Sequence, residues 1–250
     1  KTMARNNLQI PMFSPQTEWT PPDELKDLSN AKQIAIDLET RDPNLTTIGS
    51  GSVRKDGEIV GIAVAVDGWS GYYPIAHEGG GNMDEKIVMD YFRTVLNLPA
   101  RKIFHNAMYD VCFIRAAGLK INGEIVDTMI AGSLVDENRF RYDLGSMGRD
   151  YLGRGKNEAV LNETAAIWGV DPKSEMYKLP AMYVGEYAER DAEMTLELWQ
   201  EMKKEIYAQD IEDIFKLETE LFPCLVDMRF LGVRVDVEAA SQLKHKLLTE

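Results

Sequence analysis

Residues 34–40 read Ile-Ala-Ile-Asp-Leu-Glu-Thr, and this run constrains the fold more than any other. Ile34, Ala35, Ile36 and Leu38 mark a buried strand, yet Asp37 and Glu39 interrupt it near its end. Alternate residues of a strand share a face, so both carboxylates point the same way. Like charges that close repel, and burial sharpens the repulsion. Either the strand has left the core and its acids stand in water, or a divalent cation accepts both.

The 250 residues are enough to bury a sizeable core, as one large domain or one domain plus an appendage. No apolar run approaches the roughly 18 residues needed to span a bilayer, and no signal-peptide block opens the chain, so a cytoplasmic protein is expected. The two cysteines, Cys112 and Cys224, lack CxxC spacing and are expected as buried free thiols rather than a zinc site or a disulfide. A formal charge of −13 has the wrong sign for a general nucleic-acid surface, so metal ions or local basic patches must compensate if such a ligand binds. One stretch, residues 139–156, sets five basic residues (Arg139, Arg141, Arg149, Arg154, Lys156) against two acids among interleaved tyrosines. It suits a phosphate track with stacking rings, or simply a solvated helix–loop face.

Along the chain, residues 1–30 carry Pro11, Pro15, Pro21 and Pro22 and read as an extended arm or linker. Residues 41–57 are rich in turn formers and read as a loop. Strands follow at 58–66 and 71–76, separated by Asp67-Gly68. Apolar spacing predicts a helix over 84–98. A short strand, 102–106, runs into a helix that Gly118 closes. Residues 124–135 repeat that passage, and helices are expected at 143–152, 157–168 and from Pro180 through the 190s. Strands first, then strand–helix alternation, then helices predict an α/β architecture: a mixed sheet with helices packed on its faces.

A cation between Asp37 and Glu39 needs further oxygen ligands. Asp110 lies in the first turns of a helix among Phe104, Val111, Cys112 and Phe113, a semi-buried setting, although an acid near a helix N-terminus also fits the dipole. Asp191 follows Tyr187 by four residues, so phenol and carboxylate share a helix face. Glu186, Glu189, Arg190 and Glu193 around them allow a plain charged surface instead.

Taken in order, Asp-x-Glu at a strand end, Asn-x-x-Tyr-Asp entering a helix and Tyr-x-x-x-Asp on a later helix resemble the DEDD exonucleases of the tyrosine subclass. Residues 126–147 resemble the segment joining the later motifs in the proofreading domain of family A DNA polymerases, with bacteriophage members most alike. Residues 217–247 resemble the passage from that domain into the polymerase thumb. The resemblance implies an RNase H-like (ribonuclease H-like) mixed sheet flanked by helices, with a helical C-terminal extension. It divides the chain into an arm (1–30), an exonuclease domain (31–207) and a linker opening the thumb (208–250). The chain reads as a fragment or separate exonuclease module, with no fingers or palm motif and no nucleotide polymerisation expected.

The reaction implied is hydrolysis of the 3′-terminal phosphodiester of DNA by a two-metal mechanism, releasing nucleoside 5′-monophosphates. Asp37, Glu39, Asp110 and Asp191 are the expected ligands of two Mg2+ or Mn2+ ions, with Asp37 bridging them. Tyr187 is expected to orient the attacking water with Glu39, since a phenol of pKa about 10 is a poor base. Thr40 is expected against the terminal nucleotide, Leu45 as a wedge between the last bases, and Arg141 as a contact to the strand. Asn106 is a second strand contact or a helix N-cap. Tyr109 reads as core, His105 as a satisfied strand-end histidine, and His77 and His245 as surface residues. The partners implied are a frayed or single-stranded DNA 3′ end and the polymerase domain of the same longer protein, with no membrane and a monomeric state. A phage-encoded protein would act in the host cytoplasm. An RNase D-like RNA-trimming enzyme and an inactive, strand-gripping scaffold are the alternatives.

Overall fold

The computed structural model describes residues 15–249; the arm expected over residues 1–30 lies outside them in its first 14 residues. Five strands form one sheet: β1 Gln33–Arg41, β2 Glu58–Val66, β3 Trp69–Pro74, β4 Arg101–Phe104 and β5 Ile125–Asp127, ordered β3-β2-β1-β4-β5. β1–β2 and β2–β3 are antiparallel, whereas β1–β4 and β4–β5 are parallel. The sheet is mixed, as the strand–helix pattern predicts. Its parallel half needs crossover connections. Helices α3 (Glu85–Asn97) and α4 (Ala107–Ala116) serve it, and α5 (Thr128–Val135) leaves β5 directly.

Both faces of the sheet are covered, and strand parity sorts the core into two layers. Ile34, Ile36 and Leu38 of β1 pack with Val88, Phe92 and Leu96 of α3 and with Ile114 of α4. Each aliphatic side chain so buried contributes roughly 1.5–3 kcal/mol. The opposite parity, led by Ala35 with Ala63 and Ala65 of β2, faces α6 (Leu144–Leu152), α7 (Ala159–Trp168) and α8 (Gly185–Ala208). Alanines predominate on this face, and Ala188 and Ala192 answer them from α8, so helix and sheet lie close. The chain continues into α9 (Glu212–Leu231) and α10 (Val237–Thr249). α9 buries Phe215, Phe222 and Val226, while no described residue of α10 is buried.

Several local expectations need correction. The 41–57 loop contains two single-turn helices, α1 (Leu45–Ile48) and α2 (Gly51–Arg54), tied back by the buried Asp42, whose carboxylate accepts Gly51 N–H at 2.9 Å. Pro180 opens only a 3-10 turn (Ala181–Tyr183), and α8 begins at Gly185. Residues 15–30 have no regular structure yet are no free linker: Leu28 is buried, and Trp19 lies on Gly185, where an added Cβ would come within 2.0 Å of the indole. Cys112 is buried but Cys224 is exposed, because much of the surface of α9 is outward. His77 is buried rather than superficial.

Candidate active site

β1 carries Asp37 and Glu39 in the parity of Ala35, toward α8. Asp37 lies opposite Ala63 and Glu39 opposite Gly61, and the register shifts between Glu39 and Thr40. Bulges of this kind re-aim side chains beside active sites. β1 is also the strand at which the sheet order reverses, the place where open α/β sheets bind ligands beyond the carboxyl ends of their strands. Tyr72, paired with Ala63 from β3, leans its phenol across Gly61; a Cβ there would lie 2.0 Å from its oxygen. The Tyr72 hydroxyl is 2.7 Å from His77 Nε2, and His77 Nδ1 is 3.0 Å from the Leu179 carbonyl. A carbonyl only accepts, so Nδ1 carries the proton and Nε2 accepts from the phenol. Burial pushes His77 down to about 4, so the imidazole stays neutral beside the acids.

α8 supplies Tyr187 and Asp191, one turn apart. Two more of its acids fix it on the sheet: Glu189 accepts Tyr72 N–H at 3.0 Å, and Glu193 accepts the Ser70 hydroxyl at 2.6 Å. Asp110 comes from α4, and its Oδ1 accepts Leu38 N–H at 2.9 Å, binding the helix to the acid-bearing strand. Asn106 stands at the N-cap position in a left-handed conformation (φ 65°) but makes no side-chain cap. That task falls to Asp127, which accepts Asn106 N–H at 2.9 Å and Ala107 N–H at 2.8 Å, and also caps α5 through Met129 N–H at 2.8 Å. The helix-cap reading of Asn106 is thus wrong for its side chain, which is exposed.

Asp110 and Asp191 are buried, at 5% and 3% exposure, whereas Asp37 and Glu39 keep partial access to solvent. Burial first, then the charge on Asp191, push Asp37 up to about 7. Burial and the charges of Asp37 and Asp191 hold Glu39 well above the carboxylate range. Burial and Asp37 do the same to Asp110 against the opposing Leu38 N–H. Burial also raises Asp191, opposed by Lys156. Four acids from β1, α4 and α8 therefore share one electrostatic site. Among the described residues, however, no group of three or more His, Cys, Asp or Glu is drawn together closely enough to hold a metal ion as it stands.

Lys156, in the segment between α6 and α7, is the site residue that sequence reasoning passed over. Its ammonium bonds the Asp191 carboxylate and donates to the Tyr187 hydroxyl at 3.1 Å. Burial works against that charge, but Asp191 and Asp37 outweigh it and raise the Lys156 pKa. Burial and then Asp191 push Tyr187 well above its ordinary value, so the phenol keeps its proton.

The remaining candidates lie around this cluster. The Thr40 hydroxyl is 2.6 Å from that of Tyr109, a half-buried ring rather than a full core residue. Leu45 is exposed at the start of α1. Arg141 is exposed and lines a recess of about 360 Å³ with Arg149 and the fully exposed Phe140. Its basic neighbours Arg139 and Arg154 are paired with Asp150 and Glu197. His105 Nδ1 meets Thr128 Oγ1 at 2.8 Å, but Nε2 has no hydrogen-bond partner, so that histidine is only half satisfied.

A family described as 3′-5′ exonuclease matches residues 12–207. The chain is 36% identical over 245 residues to a DNA-directed DNA polymerase of Pseudomonas phage M6, covering 95% of this chain and 37% of the relative. It is 29% identical to the DNA polymerase DpoZ of Salmonella phage PMBT28, over 85% of this chain and 33% of that one. The chain thus spans about a third of the length of these relatives. Among solved structures, Brucella melitensis NrnC with bound Mg2+ superposes with a TM-score of 0.59 at 16% identity, covering 84% of this chain and 92% of that one. That likeness places the sheet and its helices in the RNase H-like fold. The match over residues 12–207, which contains every candidate acid, means that this chain belongs to the 3′-5′ exonuclease family.

Proposed function

We propose that this chain removes 3′-terminal nucleotides from DNA as nucleoside 5′-monophosphates, serving as the proofreading module of a longer DNA polymerase. The observation that carries the reading is the convergence of Asp37, Glu39, Asp110 and Asp191 from three elements on one shared electrostatic site. Acids that raise one another's pKa are relieved by a proton or by a cation held between them. An all-oxygen donor set fits hard divalent ions, Mg2+ or Mn2+, as bound Mg2+ in the NrnC neighbour also suggests. Asp37, Glu39, Asp110 and Asp191 would hold two of them, Asp37 in common. Such ions, when bound, supply the positive charge that lowers the pKa of water and offsets charge on the attacking and leaving oxygens.

The protein's own groups supply the rest. Tyr187 stays protonated and serves as a hydrogen-bond donor that orients the attacking water with Glu39, not as a base. Thr40, held by Tyr109, lines the terminal nucleotide. Leu45 is the exposed apolar group available to separate the last two bases. Asn106 and the basic recess around Arg141 receive the strand behind them. Residues 31–207 form the exonuclease unit and 208–250 lead toward the polymerase part. The molecule acts as a monomer, in the host cytoplasm if it is phage-encoded.

Incubation with 3′-recessed DNA duplexes, matched or mismatched at the terminus, tests this reading in Mg2+ and in EDTA, beside Asp37→Ala and a single-stranded RNA. Stepwise loss of 3′ nucleotides from DNA, dependent on metal and on Asp37 and faster at the mismatch, is the expected result. Cleavage of RNA alone would redirect the reading to RNA trimming. Strand binding with no cleavage would leave a scaffold.

A further inference from the structure

Lys156 bonds Asp191 within the acid cluster, and the proposed reaction gives it no task. It sits in a segment without regular structure between α6 and α7. Gly153, at φ 69°, precedes it, and Gly155 adjoins it. Its stem passes Gly145, where an added Cβ would lie in ordinary contact with Lys156 Cγ at 3.5 Å. The ammonium engages Asp191 and Tyr187 and lies 5.1 Å from the centre of the tyrosine ring. Its charge also acts on Asp37 and Glu39. Its side chain is 23% exposed, against 4% for Asp191, so the partner is fixed while the lysine has a route to solvent.

Two independent facts give this placement meaning. One monovalent cation faces three of the carboxylates, those of Asp191, Asp37 and Glu39. The carboxylates also do not yet close on a common point. An ammonium bonded to Asp191 takes up the oxygen that a divalent ion would coordinate, and its positive charge repels such an ion.

Resting on the reading of the four acids as a metal site, we propose that Lys156 is a resident counter-cation. It stabilises the metal-free cluster and must leave Asp191 and Tyr187 before a divalent ion can bind there. Metal loading is then an exchange of one cation for another. Lys156 weakens apparent metal affinity while keeping the empty site folded. The glycine-flanked segment provides the withdrawal path.

The test is a Mn2+ titration of the whole chain, reading free Mn2+ by electron paramagnetic resonance, with parallel thermal melts in EDTA. The proteins are wild type, Lys156→Met, Lys156→Gln, Lys156→Arg, Asp191→Asn and the Lys156→Met/Asp191→Asn double variant. A unit charge a few ångströms from a divalent ion is worth well over a tenfold change in binding at an effective dielectric of about 20. Both neutral variants should therefore bind Mn2+ at least about tenfold more tightly. They should also melt below wild type in EDTA, while Lys156→Arg should resemble wild type in both measurements. On the Asp191→Asn background, the gain from Lys156→Met should shrink. Saturable Mn2+ binding by wild type that Lys156→Met and Lys156→Gln leave unchanged or weaken overturns the counter-cation role alone. Absence of saturable binding in wild type and both neutral variants overturns the metal-site reading and this inference together.

Discussion

Asp127 accepts three backbone N–H groups from the first turns of two helices, at 2.9, 2.8 and 2.8 Å. α4, one of those helices, presents Asp110 to the site. In Asp127→Ala all three donors lose their charged acceptor. A capping bond is worth about 0.5–2 kcal/mol, and bonds to an ionised group sit at the upper end. Against this stands relief from burying the carboxylate, whose pKa burial raises. The net loss should be about 3–4 kcal/mol. For a chain near 250 residues, where 1 kcal/mol moves Tm by roughly 2–4 °C, that is a drop of about 6–16 °C. Asp127→Asn keeps one acceptor oxygen but turns an NH2 toward a donor, and should lose about half as much. Circular dichroism melts give the stability. Amide hydrogen exchange at Ala107 and Met129 gives the location, with protection falling there first. An Asp127→Ala melt within about 1 °C of wild type, or unchanged protection at both amides, would refute the claim that this carboxylate fastens the two helices.

Three further outcomes are expected. Gly185→Ala sets a Cβ about 2.0 Å from the Trp19 indole, so the ring must leave its seat, costing about 1–3 kcal/mol and shifting tryptophan emission toward the red. His77 is held near 4 when folded against about 6.5 unfolded, so the unfolded chain binds the extra proton. The stability that neutral His77 contributes is therefore complete above pH 6.5 and lost as pH falls toward 4, by up to about 3 kcal/mol. Urea midpoints across that window should fall less steeply in His77→Gln. Tyr187→Phe removes only the phenolic donor and should slow 3′-nucleotide release by roughly tenfold to a hundredfold in single-turnover assays, with the melting temperature nearly unchanged.

Legibility followed the range of the signal. Asp37 and Glu39 stood out because strand alternation places them on one face, and Tyr187 with Asp191 because a helical turn does the same. Both are local rules, and a mixed sheet with helices on its faces followed from equally local elements, whereas its RNase H-like character followed only from the family resemblance. Asp110 was legible from its apolar neighbours on a helix, and its tie to the other acids only from the order of motifs. Lys156 belongs to a basic stretch, but nothing local marks it as a member of the site, because its partner Asp191 lies 35 residues away and no periodicity links them. His77 resembled a surface residue because the carbonyl that buries it is 102 residues distant. Asp127 did leave a local trace, an acid at a strand end directly before a helix, the usual position of an N-cap. Cys224 misled for the opposite reason. Its apolar neighbours suggested a core, yet Leu217, Leu221, Leu225 and Met228 of the same helix are exposed.

The seating of Trp19 on Gly185 also sets an order of assembly. During synthesis Trp19 and the first pair of acids are made before the sheet is complete, while the start of α8 and Asp191 follow only after all five strands. Until then Trp19 has no seat, and Asp37 and Glu39 lack the helix that covers their face. A nascent chain that ends before α8 therefore holds Asp37 and Glu39 without Asp191. Completion of α8 both gives Trp19 its seat and brings Asp191 up to Asp37.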